Sequence, residues 1–139
     1  MNYQHIVVLF NDRLDGYVLL QDAAELAQKY QARLSLCHVL PDLRAEDYVS
    51  DSLMDDKESQ QIIATKALLS ELVKTVSWPV SGTLIISLDE TTPLEDYARN
   101  GAVDLLVCGH KNRVFGRMTS HAMQFINRTE LDVLIKHIK

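Results

Sequence analysis

The chain has 139 residues, a formal net charge of -5, 47% hydrophobic residues and 24% charged residues. This composition suits one soluble globular domain with one core, and the acidic balance argues against general nucleic-acid binding, which needs a basic face. No apolar run approaches the roughly 20 residues of a membrane span.

The opening Met-Asn-Tyr-Gln-His-Ile-Val-Val has no basic region or cleavage site of a signal peptide, so the expected compartment is the cytoplasm. His5 to Phe10 is a short apolar run bounded by Asn11 and Asp12, which predicts a strand buried on both faces. The polar stretch Asn11 to Asp15 can cap the amphipathic helix that follows, Leu14 to Tyr30. Ala32 to Leu40 reads as a second strand stopped by Pro41. Asp42 to Asp56 is acidic and irregular; without the ligand spacing of a calcium loop it reads as a solvated loop. Lys57 to Val76 carries Ile62, Ile63, Leu68, Leu69, Leu72 and Val76, the stripe of a long helix. Ser81 to Leu88 is a third strand. Thr91-Thr92-Pro93 opens a short helix that Gly101 closes. Val103 to Cys108 is a fourth strand, expected to stop at Gly109. Thr119 to Arg128 reads as the last helix and Leu131 to Ile138 as the last strand.

Strands alternating with helices predict an α/β fold: one doubly wound, five-stranded parallel sheet with helices on both faces and strand order 3-2-1-4-5. Such sheets bind ligands at the carboxyl ends of the strands where the winding reverses. Here that point lies between the first and fourth strands, which places Asn11-Asp12 beside Gly109-His110. A strand, a glycine and a helix start at Thr119-Ser120 would suit an anion, because free amides and the helix dipole point at it. Lys111, Arg113, Arg117, His110 and His121 make the surrounding segment locally basic; the alternative is a solvated loop with Thr119 as a simple N-cap.

The segments His5-Ile6-Val7-Val8, His38-Val39, Trp78-Pro79-Val80, Asp104-Leu105-Leu106-Val107-Cys108-Gly109-His110 and Asp132-Val133-Leu134-Ile135 together resemble the universal stress protein A family over essentially the whole chain. The resemblance implies a small cytoplasmic homodimer made under stress, with the last strands paired across the two-fold axis and no established turnover chemistry. It implies a dimer interface at Val133, Leu134, Ile135 and His137. One branch of the family binds ATP and carries an aspartate after strand one, a glycine after strand three, and Gly-x2-Gly-x9-Gly-Ser/Thr after strand four. At those positions this chain has Asn11, Leu88, Gly109, Asn112, Ala122 and Met123, so only Gly109 matches. Glycine lets backbone approach phosphate closely, and Met123 replaces a hydroxyl. The chain therefore resembles the branch that does not bind ATP, typified by the enterobacterial A, C and D proteins, and no cofactor is expected. The alternative is a nucleotide or anion sensor using a degenerate pocket of Asn11, Asp12, Val39, Gly109, Asn112, Thr119 and Ser120.

Other chemistries find less support. His38 and His110 lie at the ends of the second and fourth strands, on the ligand side, but lack a third metal ligand at recognisable spacing. Ser120 and His121 are adjacent on a predicted helix and do not face each other; no nucleophile elbow or Walker lysine is present. Cys37 and Cys108 should sit about 10 Å apart, two strand spacings, beyond disulfide reach.

Overall fold

The computed structural model describes residues 2–41, 51–87, 91–111 and 131–138. The elements run β1 His5–Leu9, α1 Arg13–Tyr30, β2 Arg33–Pro41, α2 Asp51–Val73, β3 Val80–Ser87, α3 Thr91–Asn100, β4 Leu105–Lys111 and β5 Asp132–Ile138. The sheet has five strands in the order β3-β2-β1-β4-β5, and every pairing is parallel. This is the expected order. The helix predicted over 119–128 lies outside the described residues.

Every residue of β1 is buried. Alternation along the strand sends its side chains to two different cores. Ile6 and Val8, with Phe10 just beyond, join Leu19, Leu20 and Ala23 of α1 and Leu69 and Leu72 of α2. Val7 and Leu9 face the other way, toward Cys37, Leu106, Cys108 and Ala98 of α3. Burying each aliphatic side chain stabilises by about 1.5–3 kcal/mol. That outweighs a surface pair such as Arg13–Glu71, whose side chains are 67% and 50% exposed and which contributes ~0–1 kcal/mol.

The helix ends show local chemistry at work. Asp12 caps α1 in a reciprocal box: its side chain accepts from the Asp15 amide, and the Asp15 side chain accepts from the Asp12 amide. Gln31 ends α1 in the left-handed region at φ 57°, with its Nε2 donating to Gln28 O at 2.7 Å. Most boundaries move by a residue or two from expectation, and those of α2 and the end of β4 move further. α2 begins at Asp51 rather than Lys57, because carboxylates are favoured at the positive end of a helix and need not signal a loop. It ends at Val73 rather than Val76, where the Thr75 hydroxyl donates to Leu72 O at 2.6 Å. Gly101 follows α3 as expected, but the left-handed residue is Ala102 at φ 51°. A Cβ on Gly101 would lie 3.1 Å from Tyr97 O and 3.3 Å from the His5 ring, so close packing, not backbone freedom, favours a small residue there.

At the amino ends of the strands Asp104 acts as a clamp. Its carboxylate accepts from the amides of Gln4 at 2.8 Å and His5 at 3.0 Å. Its own amide donates to His5 O, and its carbonyl accepts from the Asp132 amide. Tyr3 extends the link by donating to Asp132 Oδ2 at 2.7 Å, and this bond raises the phenol's pKa. Asp104→Ala strips acceptors from two neighbouring amides, so it is expected to lower unfolding stability by about 2 kcal/mol. Urea unfolding at neutral pH measures this, and an unchanged midpoint would contradict the clamp.

Candidate functional site

The switch point forms where the topology requires. Val8 pairs with Val107 and Leu9 with Cys37, so by the same register Gly109 stands abreast of Phe10, and Val39 abreast of Asn11. By this register Asn11, Val39 and Gly109 lie within a residue of level on three adjacent strands, with Asp12 next in the chain. The remaining pocket candidates, Asn112, Thr119 and Ser120, lie outside the described residues, as do Leu88, Arg113, Arg117 and His121.

The start of α1 is an amide-rich, positively polarised end. Three of the amides around it, those of Asn11, Asp12 and Asp15, are engaged by side chains of this segment. The Asp15 carboxylate, on a side chain that is buried with the rest of its residue, accepts from the Asn11 amide at 3.0 and 3.1 Å and from the Asp12 amide at 2.9 Å. An internal carboxylate thus takes the amides just before α1, on the β1 side of the switch point. The sequence carried this signal in the three-residue spacing of Asp12 and Asp15.

Gly109 requires a correction. The fourth strand does not stop there; β4 runs on to Lys111, and Gly109 pairs with Lys136 of β5. None of the described glycines has a positive φ. A Cβ on Gly109 would lie 3.0 Å from Ile138 Cγ1 and 3.5 Å from Leu19 Cδ1. Its smallness serves packing beneath Ile138, a contact that sequence spacing does not reveal.

His38 Nδ1 lies 2.9 Å from Phe10 O, which can only accept, so this nitrogen carries a hydrogen and donates. The His38 ring also packs on Phe10 with centroids 4.9 Å apart. Val39 is half-buried against the Val7–Leu9–Cys37 cluster. Among the described residues no group of three His, Cys, Asp or Glu stands close enough to hold a metal ion, and no helix is long and apolar enough to cross a membrane.

Two further features escaped the sequence. His5 Nδ1 donates to Gly101 O at 2.7 Å, while Nε2 lies 2.7 Å from Ser35 Oγ. Lys136 of β5 pairs with Asp22 of α1, which turns this lysine onto the α1 face rather than the sheet edge. On β5, Leu134 and Ile135 are each 42% exposed, Val133 is half-buried and His137 exposed.

Residues 2–137 match the universal stress protein family. Universal stress protein A of Escherichia coli K12 is 31% identical over 138 residues, covering 97% of this chain and 94% of that protein. The chain belongs to the universal stress protein family. Among solved structures, universal stress protein UspA from Lactobacillus plantarum superposes with a TM-score of 0.66 at 22% identity, covering 97% of this chain and 98% of that one. The universal stress protein from Archaeoglobus fulgidus in complex with dAMP gives 0.67 at 23%, with 97% and 98% covered. These two likenesses establish a shared fold for this universal stress protein.

Cys37 and Cys108 are free, as expected for two thiols flanking β1. Burial pushes the Cys37 thiol up to about 12 and the Cys108 thiol up to about 11, from an ordinary 9.0. Because the folded values are raised, the thiols' contribution to stability is complete below the unfolded value and is lost as pH rises through the folded values. Stability should therefore fall as pH rises from about 9 through about 11, and the combined Cys37→Ala, Cys108→Ala variant should lose less over that range. Parallel urea titrations decide it; equal losses would place the alkaline sensitivity elsewhere.

Proposed function

We propose that this universal stress protein is a non-catalytic, cytoplasmic homodimer that acts through protein contacts and does not hold ATP tightly. The observation that carries the proposal is Asp15, whose carboxylate takes the Asn11 and Asp12 amides at the start of α1. A phosphate arriving there would face a buried negative charge instead of free donors. Gly109, packed under Ile138 inside β4, adds support. So do Leu88, Asn112, Ala122 and Met123, which stand where the ATP-binding branch has glycines and a hydroxyl. For catalysis, the described contact most like a nucleophile–base pair is Ser35 with His5, and each of these residues is only 5% exposed. A nucleophile has to reach its substrate.

The dimer is proposed through β5, the edge of the sheet. Its outer side pairs with no strand among the described residues, while Leu134 and Ile135 are each 42% exposed on its opposite faces. A long apolar edge invites pairing with another chain, and a second copy running antiparallel would satisfy two-fold symmetry. Val133 and His137 lie on the same strand and complete the proposed interface.

A nucleotide or anion sensor is the second reading, favoured by the Archaeoglobus fulgidus relative solved with dAMP. Calorimetry separates the two. Titration of ATP with magnesium into the purified protein should give no binding heat, and supernatant from denatured protein should show no adenine absorbance. A micromolar dissociation constant, or co-purified nucleotide, would instead establish the sensor.

Sedimentation velocity at micromolar concentration should show a two-chain species. Leu134→Lys combined with Ile135→Lys should convert it to a monomer with unchanged circular dichroism. A monomeric parent protein would refute the edge-strand dimer.

A further inference from the structure

At the amino ends of the strands, opposite the switch point, β2 and β3 frame a cleft of about 390 Å³. That volume falls in the range of small-molecule sites, roughly 300–1,000 Å³. We propose that this cleft binds a small planar carboxylate, with the Arg33 guanidinium gripping the charge and the Trp78 indole forming the wall.

The recognition groups are held in place before any ligand arrives. Arg33 opens β2, and its Nη2 donates to Gly101 O at 3.0 Å. A guanidinium has five N–H donors in a planar fork that matches a carboxylate; this bond uses one and fixes the orientation of the rest. Trp78 precedes β3. Its Nε1 donates to Ala32 O at 2.9 Å, and its ring packs against the large core while also lining the cleft. A fixed, half-buried indole offers apolar contact area with little further ordering. Ser35 and Ser81 pair in register across β2 and β3 and both line the cleft. The Ser81 residue is exposed, so its hydroxyl is within reach of a ligand.

Charge supports an anionic occupant. The chain carries a net charge of -5, yet among the described residues lining this cleft there is no aspartate or glutamate, and Arg33 supplies a permanent positive charge. One guanidinium beside one aromatic wall suits a singly charged, flat ligand better than a phosphate, which gains from several cations or a cluster of amides.

Trp78 is the chain's single tryptophan, so its emission reports on this cleft directly. Titration with benzoate, followed by Trp78 fluorescence, should give a saturable change with a midpoint in the millimolar range. Benzamide, flat but uncharged, should give none. Arg33→Ala should raise the benzoate midpoint at least about tenfold, as expected for loss of a charge-assisted hydrogen bond. Ser81→Glu, which sets a like charge in the lining, should do the same, and urea unfolding of each variant checks that the fold is intact. The proposal is overturned if benzoate gives no saturable change, if benzamide matches benzoate, or if both folded variants keep the parental midpoint.

Discussion

The complete burial of β1 is the constraint on which the rest of this universal stress protein depends. Its five residues touch no solvent to speak of, and its backbone is bonded on both sides, to β2 and to β4. A strand with two apolar faces needs a layer on each, so α1 and α2 collect on the Ile6–Val8 face and α3 on the Val7–Leu9 face. Leaving to opposite sides of β1, the chain creates a switch point at its carboxyl end. The site follows from the core in that order, since ligand-binding geometry at a switch point is a by-product of burying the central strand.

The two ends of the sheet have resolved their polar groups differently. At the carboxyl end of β1 Asp15 turns back onto the amides that precede α1, so these donors are satisfied from within. At the amino end Asp104 gathers β1, β4 and β5 through its carboxylate and its own amide and carbonyl, and His5 is fixed between Gly101 and Ser35. The amino end thereby becomes rigid around a cleft with a guanidinium and an indole at its rim.

Much of this was legible along the chain. The apolar run of His5 to Phe10, the helical spacing of Leu19, Ala23 and Ala27, and the alternation of strand with helix were enough for the element order and the sheet order, because burial patterns and right-handed crossovers leave few topologies. Boundaries were less legible where one residue type serves two purposes. Asp51, Asp55 and Asp56 suit a solvated loop and the positive end of a helix equally well, and the helix was chosen. Gly109 and Gly101 looked like backbone devices, yet each is small because a side chain from a distant element, Ile138 or His5, packs against it. Lys136 on the edge strand pairs with Asp22, 114 residues away in sequence, a contact that spacing along the chain does not reveal.

By itself the sequence determined the family, the order of the strands and which strand ends meet, since these depend on hydrophobic period and on residues close together in the chain. Only the tertiary structure decided what the meeting residues do. Whether Asp15 faces solvent or the amides of Asn11 and Asp12, whether Gly109 turns or continues a strand, and whether Arg33 and Trp78 share a cleft all depend on contacts between residues brought together by packing. Hydrophobic periodicity specifies which face of an element is buried, but the partner across that face exists only once the sheet and its helices have assembled.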